Sequence, residues 1–362
     1  MSTVEFHKLP VTVEVETDES VCLSFDVPSE LRERFRHRPG QHLVLRTELD
    51  GEEVRRSYSI CGGIGDDRLR VGVKRIPGGL FSTYATTELA DGDLIEVMAP
   101  IGEFGHTPDP AAANSYVALA AGSGITPILS IVSSILDVEP ASRVTLIYGN
   151  RRTSSIMFLE ELEALKDRHH ERFQLVHVLS REPHEVPLFS GRIDDEKLRT
   201  LCRTLLQPET VDKWFVCGPL DMVETVTATL EDLGVDQATV NTELFFDQRI
   251  EAPPALPDDA YGLVSMRFTL DGRASTVSVD PDGPPLLDYA RAARTEVPFA
   301  CKGGMCATCK ARVIDGDVVL DKNYALTDAE LADGFVLTCQ SHPAPGTTAV
   351  VLTFDVHGGM GR

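Results

Sequence analysis

The sequence predicts a multidomain chain: an antiparallel β-barrel, then an α/β domain on a parallel sheet, then a smaller α+β domain. Three observations predict it. Short apolar runs alternate with Gly, Pro and Asp turns over residues 4–107. From Tyr116 the texture changes to fully apolar strand runs separated by helical stretches, the pattern of βαβ units. A proline-dense segment at 248–260 then precedes a third block with its own hairpin and helix signals. At 362 residues the chain is also too long for one ordinary core. The boundaries expected are 1–110, 111–247, a linker at 248–260, and 261–362.

In the first block the strand runs are Val11–Val15, Leu43–Leu45 and Leu69–Val73, broken at Pro39-Gly40, Asp91-Gly92 and Pro100. In the second, a strand at Val117–Ala121 leads through a glycine-rich turn to a helix ending near Leu136, then to a buried strand at Val144–Tyr148. A helix over Met157–Lys166, a strand over Phe173–Leu179, a strand over Trp214–Cys217 and a helix over Met222–Leu233 continue the alternation, for a sheet of five or more strands. Gln248–Ala260 carries three prolines within 253–257 and reads as an extended, semi-rigid linker. Beyond it, Val264–Leu270 and Ser275–Val279 flank Asp271-Gly272 as a hairpin, and Leu286–Arg294 reads as a helix. That order suits a β-grasp domain.

The formal charge of −22 argues against nucleic acid as a partner, because a phosphate-binding surface needs concentrated Lys and Arg. The stretch from Asp258 onward holds 14 Asp and Glu against 9 Lys and Arg, which disfavours a basic docking face there. The first residues lack the apolar stretch of a signal peptide and no run reaches the 18 apolar residues of a membrane span, so a cytoplasmic protein is expected. Cys22, Cys61, Cys202 and Cys217 are scattered without a disulfide framework, as reduced thiols would be.

The other four cysteines carry the sharpest signal. Cys301, Cys306, Cys309 and Cys339 have the C-x4-C-x2-C…C spacing of a plant-type [2Fe–2S] cluster. Gly303 and Gly304 remove side chains where the backbone must wrap the cluster and aim N–H groups at sulfur. A structural zinc site is the alternative, but zinc knuckles come as short paired C-x2–4-C motifs.

Three further stretches have the makings of nucleotide sites. Arg56-Ser57-Tyr58-Ser59 and, some twenty residues later, Gly79–Ser82 offer what a flavin dinucleotide needs. These are a cation for pyrophosphate, an aromatic face, a hydroxyl near the reactive ring nitrogen, and a Gly/Ser turn. Taken alone they also fit an ordinary barrel strand with a surface arginine and a packed tyrosine. Gly122-Ser-Gly124-Ile-Thr126-Pro127 sits between a strand and a helix, where two glycines allow close backbone approach and the helix N-terminus faces a pyrophosphate. Pro127 suits the first turn. The third glycine of G-x-G-x-x-G is absent, and a strand–turn–helix without ligand remains open. Cys217-Gly218-Pro219 ends a later strand at the same carboxyl edge, either beside a nicotinamide or as a buried strand-end cysteine.

In order and spacing, Arg56–Ser59, Gly79–Ser82, Gly122–Pro127 and Cys217–Pro219 resemble the ferredoxin–NADP reductase superfamily. With the C-terminal cysteine loop the arrangement is similar to reductase components of multicomponent oxygenases. Arg38–His42, Glu96–Met98, Tyr148–Arg151, Asn323–Leu326 and Val336–Gln340 extend the resemblance, over essentially the whole length, to the reductase subunits of phenylacetyl-CoA epoxidases. The resemblance implies FAD at Arg56, Ser57, Tyr58, Ser59, Gly79 and Ser82, and a nicotinamide nucleotide at Gly122, Gly124, Thr126, Pro127, Cys217, Gly218 and Pro219. It also implies that Glu243 and Phe245 form the acidic and aromatic pair near the flavin, though they could be no more than the last sheet strand. Ser59, Cys217 and Glu243 are thus the residues expected at hydride transfer, Ser59 and Cys217 positioning and polarising rather than taking protons.

An NAD site usually offers a carboxylate to the ribose at the end of the second strand, whereas Asn150–Ser155 offers Arg151, Arg152 and hydroxyls, with no acid before Glu160. NADPH is therefore expected over NADH, a solvated loop being the alternative. Electron counting orders the cofactors: a hydride carries two electrons and the cluster accepts one, so FAD stands between NADPH and the [2Fe–2S] cluster. The expected function is a reductase delivering electrons to an oxygenase, by resemblance a di-iron phenylacetyl-CoA epoxidase of aerobic phenylacetate catabolism. Reduction of a steroid or aromatic-ring hydroxylase, or a non-catalytic metal-cluster scaffold, are the alternatives. No membrane or nucleic-acid partner is expected.

Overall fold

The computed structural model describes the chain except residues 1–5, 50, 103, 245–261, 271, 295–296, 300–301, 305–306, 308, 324 and 356–362; at Glu52, Glu53 and Leu244 only the backbone is described. The expected linker at 248–260 lies outside the described residues. The chain divides into two compact units, His7–Glu52 with Tyr58–Asp247, and Met1–Phe6 with Glu53–Ser57 and Gln248–Arg362. No helix among the described residues is long and apolar enough to cross a membrane.

An antiparallel sheet comes first in the chain. Its strands are β1 (Phe6–Thr17), β2 (Ser20–Phe25), β3 (His42–Leu49), β4 (Glu52–Ser59), β5 (Leu69–Lys74) and β6 (Leu94–Met98), in the order β4-β3-β6-β1-β2-β5. β2 is buried at every position, serines included. Just past β4, Ile60 forms an isolated antiparallel bridge with Val71 of β5. Helix α1 (Leu80–Thr87) follows β5 and buries Phe81, Ser82 and Ala85.

The second sheet is wholly parallel: β7 (Ser115–Ala121), β8 (Arg143–Asn150), β9 (Phe173–Leu179), β10 (Lys213–Gly218) and β11 (Val240–Leu244), in the order β11-β10-β7-β8-β9. β7 lies at the centre and its interior is fully buried, as a strand covered on both faces requires. Helices α2 (Ile125–Val138), α3 (Leu159–Arg168), α4 (Asp195–Leu201) and α5 (Leu220–Asp232) connect the strands. α3 starts two residues later than the apolar pattern suggests because Phe158, at φ 58, forms a left-handed N-cap.

The C-terminal sheet is mixed. Its strands are β12 (Val264–Leu270), β13 (Arg273–Val279), β14 (Lys310–Asp315), β16 (Phe335–Leu337) and β18 (Ala349–Thr353), in the order β13-β12-β18-β14-β16, while β15 (Val318–Leu320) pairs with β17 (Ser341–Pro343). β12 and β18 are parallel and the other pairs antiparallel, with α6 (Leu286–Ala293) packed on the hairpin strand β13 and the short α7 (Asp328–Ala332) beside β16. The chain is therefore multidomain, with an antiparallel sheet, a parallel sheet and a ferredoxin-like sheet.

Candidate functional site

The carboxyl edge of the parallel sheet brings the turn after β7 against the end of β10. Gly122 has φ 54, a left-handed conformation that glycine adopts without steric cost. Gly124 has ordinary helical backbone, and its reason is space. A Cβ there would lie 2.3 Å from the Cys217 carbonyl oxygen and 2.9 Å from the Gly218 nitrogen. Gly218 is less confined, since its nearest neighbour for a Cβ, Met222 Cε at 2.6 Å, is the mobile end of a side chain. The Tyr148 hydroxyl donates to the Gly122 carbonyl at 3.0 Å, and the Thr126 hydroxyl to the Ser123 carbonyl at 3.0 Å. Thr126 and Pro127 are buried in the first turn of α2, and no side chain caps that helix. Its leading N–H groups and dipole therefore suit an anion. Pro219 occupies the N-cap of α5, likewise without a side-chain cap.

Cys217 and Glu243 are register partners on β10 and β11. Ser59, 4% exposed, donates from Oγ to Glu243 Oε2 at 3.4 Å. The structure thus brings together all three residues expected at hydride transfer. Burial pushes the Glu243 carboxyl up to about 8, the Ser59 hydrogen bond opposing it. Burial, and then the charge of Glu243, push the Cys217 thiol well above its ordinary range. At neutral pH both hold their protons, so neither is a nucleophile. Phe245 lies outside the described residues.

Around α1, the Tyr58 ring packs on Phe81 at 5.3 Å between centroids, tilted by 38°. A Cβ on Gly79 would lie 2.5 Å from Ser82 Oγ and 2.6 Å from Ile76 Cγ1, so a larger residue would have to displace both side chains. The Ser82 hydroxyl donates to the Gly79 carbonyl at 3.2 Å and accepts from the Ile76 N–H at 3.3 Å, holding the loop rather than projecting from it. No side chain caps α1. On β4, Arg56 donates to the Arg55 carbonyl at 2.7 Å, and the buried Ser57 hydroxyl has no hydrogen-bond partner. An orphaned buried hydroxyl is what a ligand with its own polar atoms would complete.

Arg151 and Arg152 are exposed on the loop after β8. Sequence reasoning missed the acid that meets this loop. Glu182, just past β9, accepts from the Thr153 N–H at 3.2 Å and from its hydroxyl at 2.7 Å. Its distance along the chain hid it; only the parallel pairing of β8 with β9 brings the two loops together.

In the C-terminal unit, Cys309 and Cys339 are 2% and 3% exposed within one apolar cluster; Cys301 and Cys306 lie outside the described residues. Thr338 clamps the two thiol segments, its N–H and hydroxyl both bonded to the Cys309 carbonyl at 3.2 and 2.9 Å. Gln340 Nε2 donates to the Lys302 carbonyl at 2.7 Å. The loop is wound through left-handed residues, Lys302 at φ 46, Gly304 at φ 77 and Ala307 at φ 53. At Gly304 a Cβ would lie 3.1 Å from the Lys322 carbonyl oxygen. Two buried thiols, Cys309 on this wound loop and Cys339 on the turn bonded to it, are donors suited to iron. Neither Thr338 nor Gln340 belongs to a cysteine-spacing motif, so spacing alone could not flag them.

Comparison with known proteins accords with this geometry. Family models match for an oxidoreductase FAD-binding domain over residues 9–106, an oxidoreductase NAD-binding domain over 118–228, and a 2Fe-2S iron-sulfur cluster binding domain over 268–344. The chain is 42% identical to a subunit of the 1,2-phenylacetyl-CoA epoxidase of Escherichia coli strain K12, covering 98% of this chain and 99% of that one. It is 32% identical to the 3-ketosteroid-9-alpha-monooxygenase ferredoxin reductase component of Rhodococcus rhodochrous, covering 91% of each. Among solved structures, phthalate dioxygenase reductase shares the fold, with a TM-score of 0.54 and 23% identity over 96% of this chain and 98% of that one.

Proposed function

We propose that this chain, which belongs to the family of FAD-, NAD- and [2Fe–2S]-binding reductases that includes the matching component of 1,2-phenylacetyl-CoA epoxidase, is the reductase component of an epoxidase of that kind. It is an NAD(P)H-dependent flavin iron–sulfur oxidoreductase. The observation that carries the reading is likeness to that component from end to end, through all three domains. When bound, the flavin supplies a group that takes two electrons with a hydride and yields them singly to the cluster.

The residues then have distinct tasks. Arg56 would meet the flavin pyrophosphate, Ser57 would supply a hydroxyl, and Tyr58 would cover the ring system. Gly79 and Ser82 shape the turn that admits it. Gly122, Gly124, Thr126 and Pro127 bring the N-terminus of α2 to the nucleotide phosphates, while Cys217, Gly218 and Pro219 bound the nicotinamide, with Phe245 at the flavin. Cys301, Cys306, Cys309 and Cys339 hold the irons. The meeting of Ile60 with Val71 supports reading the first sheet as a closed barrel. The partner we propose is a di-iron oxygenase, met in the cytoplasm without membrane or nucleic acid. Mixed with candidate oxygenases, the protein should consume NADPH fastest with the phenylacetyl-CoA epoxidase component. Equal or greater stimulation by a steroid or aromatic-ring oxygenase would sink the assignment.

Ser59 and Glu243 make hydride transfer pH-dependent. Between about pH 4.5, the ordinary carboxyl value, and about 8, the folded chain holds a proton on Glu243 that the unfolded chain has lost. Folding stability from this group therefore falls as pH rises through that window. Above about 8 the carboxylate forms beside the position proposed for the nicotinamide, and the rate of flavin reduction should fall. Glu243→Gln should flatten that limb in a stopped-flow pH profile; an unchanged profile would remove Glu243 from the reaction.

Arg151 and Arg152 support NADPH, whereas Glu182 is the observation favouring NADH. Replacing both arginines with alanine should lower kcat/KM for NADPH about tenfold, as loss of charge-assisted hydrogen bonds of this kind does. Use of NADH should be unaffected. Equal loss with both nucleotides would assign the arginines elsewhere.

A further inference from the structure

We infer that Arg291 sets the reduction potential of the iron–sulfur cluster, holding it higher than the cysteines alone would; this rests on the cluster reading above. Helix α6 buries Leu286, Leu287, Tyr289 and Ala290, and with them Arg291, which is only 7% exposed. A buried guanidinium is costly unless an anion compensates it. Among the described residues no carboxylate forms an ion pair with it, and the only opposing charge acting on it is that of Asp288, too weak to offset its burial. Asp288, one turn earlier on the same helix, pairs instead with Lys302 Nζ at 2.7 Å, and Arg291 Nε has no hydrogen-bond acceptor. The guanidinium stacks on the Phe299 ring, Cζ 3.4 Å from the centroid, which orients the charge but does not neutralise it.

The surroundings identify the missing anion. Phe299 lies two residues before Cys301, and α6 packs against the turn Thr338–Gln340 that carries Cys339. Arg291 thus stands on a helix that contacts one cysteine-bearing segment, and stacks on a residue leading into the other. Four thiolates and two sulfides against two ferric ions leave the oxidised group doubly negative; one electron, converting one ferric ion to ferrous, makes it triply negative. A fixed cation in a poorly solvated site favours the more negative state. Lys302 and Lys310, each next to a cysteine of the set, pair with Asp288 and Glu330, which leaves Arg291, among the described residues beside these segments, as a buried cation without an ion pair whose charge acts on the cluster.

The test is a redox titration of the full-length holoprotein, following the reduced cluster by electron paramagnetic resonance. Arg291→Met removes the charge and leaves an apolar side chain of similar reach, which a buried site tolerates. It should lower the equilibrium constant for cluster reduction about tenfold, equivalent for one electron to about 59 mV, with the flavin potential unmoved. Arg291→Lys, which keeps the charge, should stay close to the wild-type potential. An unshifted midpoint in Arg291→Met, or an equal fall in both variants, would overturn the proposal. Absence of a rhombic reduced signal in the wild-type protein would instead refute the cluster itself. Should Arg291→Met fail to assemble a cluster, Arg291→His titrates its charge within one folded protein. Its midpoint should rise as pH is lowered through the imidazole range by more than the wild-type midpoint does, and a parallel slope would count against the proposal.

Discussion

Replacing Cys339 with alanine should abolish reduction of cytochrome c and of the oxygenase while leaving NADPH-dependent reduction of ferricyanide within about twofold of wild type, the order of a surface-neutral change. Cys339 is 3% exposed in the turn Thr338–Gln340, so its thiol points into the same apolar cluster that encloses Cys309. Removing one of four thiolates opens the cage, and its described neighbour Thr338 does not replace it, spending both its N–H and its hydroxyl on the Cys309 carbonyl. The flavin and nucleotide positions lie in residues 56–245 and are untouched, which is why the two acceptors should separate. Thr338→Val gives the graded version. It loses one of the two bonds that clamp the thiol segments, and losses of such supporting bonds cost about 10–100-fold in retention of the metal. Retention of a full rhombic signal in Cys339→Ala would assign the fourth ligand to another residue.

Chemistry held in short contiguous runs was legible in the sequence, and chemistry assembled by topology was not. Phe173–Leu179 and Val264–Leu270 stand where the apolar pattern places them, the first because apolar residues dominate it and the second because apolar and polar residues alternate strictly along it. β2 escapes that pattern, since Ser20 and Ser24 are buried with the apolar residues and no alternation marks the strand. Gly122 and Gly124 announce a phosphate turn together, yet they act differently, one by its left-handed φ and the other by lying against the Cys217 carbonyl. The second role depends on β7 and β10 being sheet neighbours, which no local pattern encodes. Glu182 was invisible for the same reason, and Thr338, though it stands within Val336–Gln340, gave no sign of its bonds to the Cys309 carbonyl. The cysteine spacing could be read because a cluster loop is a local object, whereas the cation that stacks beside it sits on a separate helix.

The most consequential unread feature is Glu139, and replacing it should cost more stability than any other single change in the parallel-sheet domain. Glu139 caps the C-terminus of α2 and its side chain is fully buried. Its carboxylate accepts from Ser142 Oγ at 2.6 Å, His106 Nε2 at 2.9 Å, the Tyr116 hydroxyl at 3.0 Å and the Asp109 N–H at 3.1 Å. Arg172 braces the same corner by donating to the carbonyls of Leu136, Glu139 and Ser142. One carboxylate therefore joins the end of α2 to β7, to the entry of β8, and to the segment arriving from the antiparallel sheet. Burial acts to raise its pKa, but the hydrogen bonds from Ser142, His106, Asp109 and Tyr116 outweigh burial and hold it below the ordinary value of 4.5. The sign follows: this group's contribution is complete above the unfolded carboxyl value and is lost as pH falls through the lower folded one. Glu139→Ala leaves several buried donors unsatisfied, at about 1–3 kcal/mol each for those that water cannot reach, so a loss of about 4 kcal/mol is expected. Denaturant titration at neutral pH measures it, and the acid limb of the stability profile should flatten in the variant. Because α2 presents its other end to the nucleotide turn, loosening this anchor should also raise KM for NADPH while leaving the cluster potential unchanged. A variant that kept both its stability and its KM would show that Arg172 alone secures the corner.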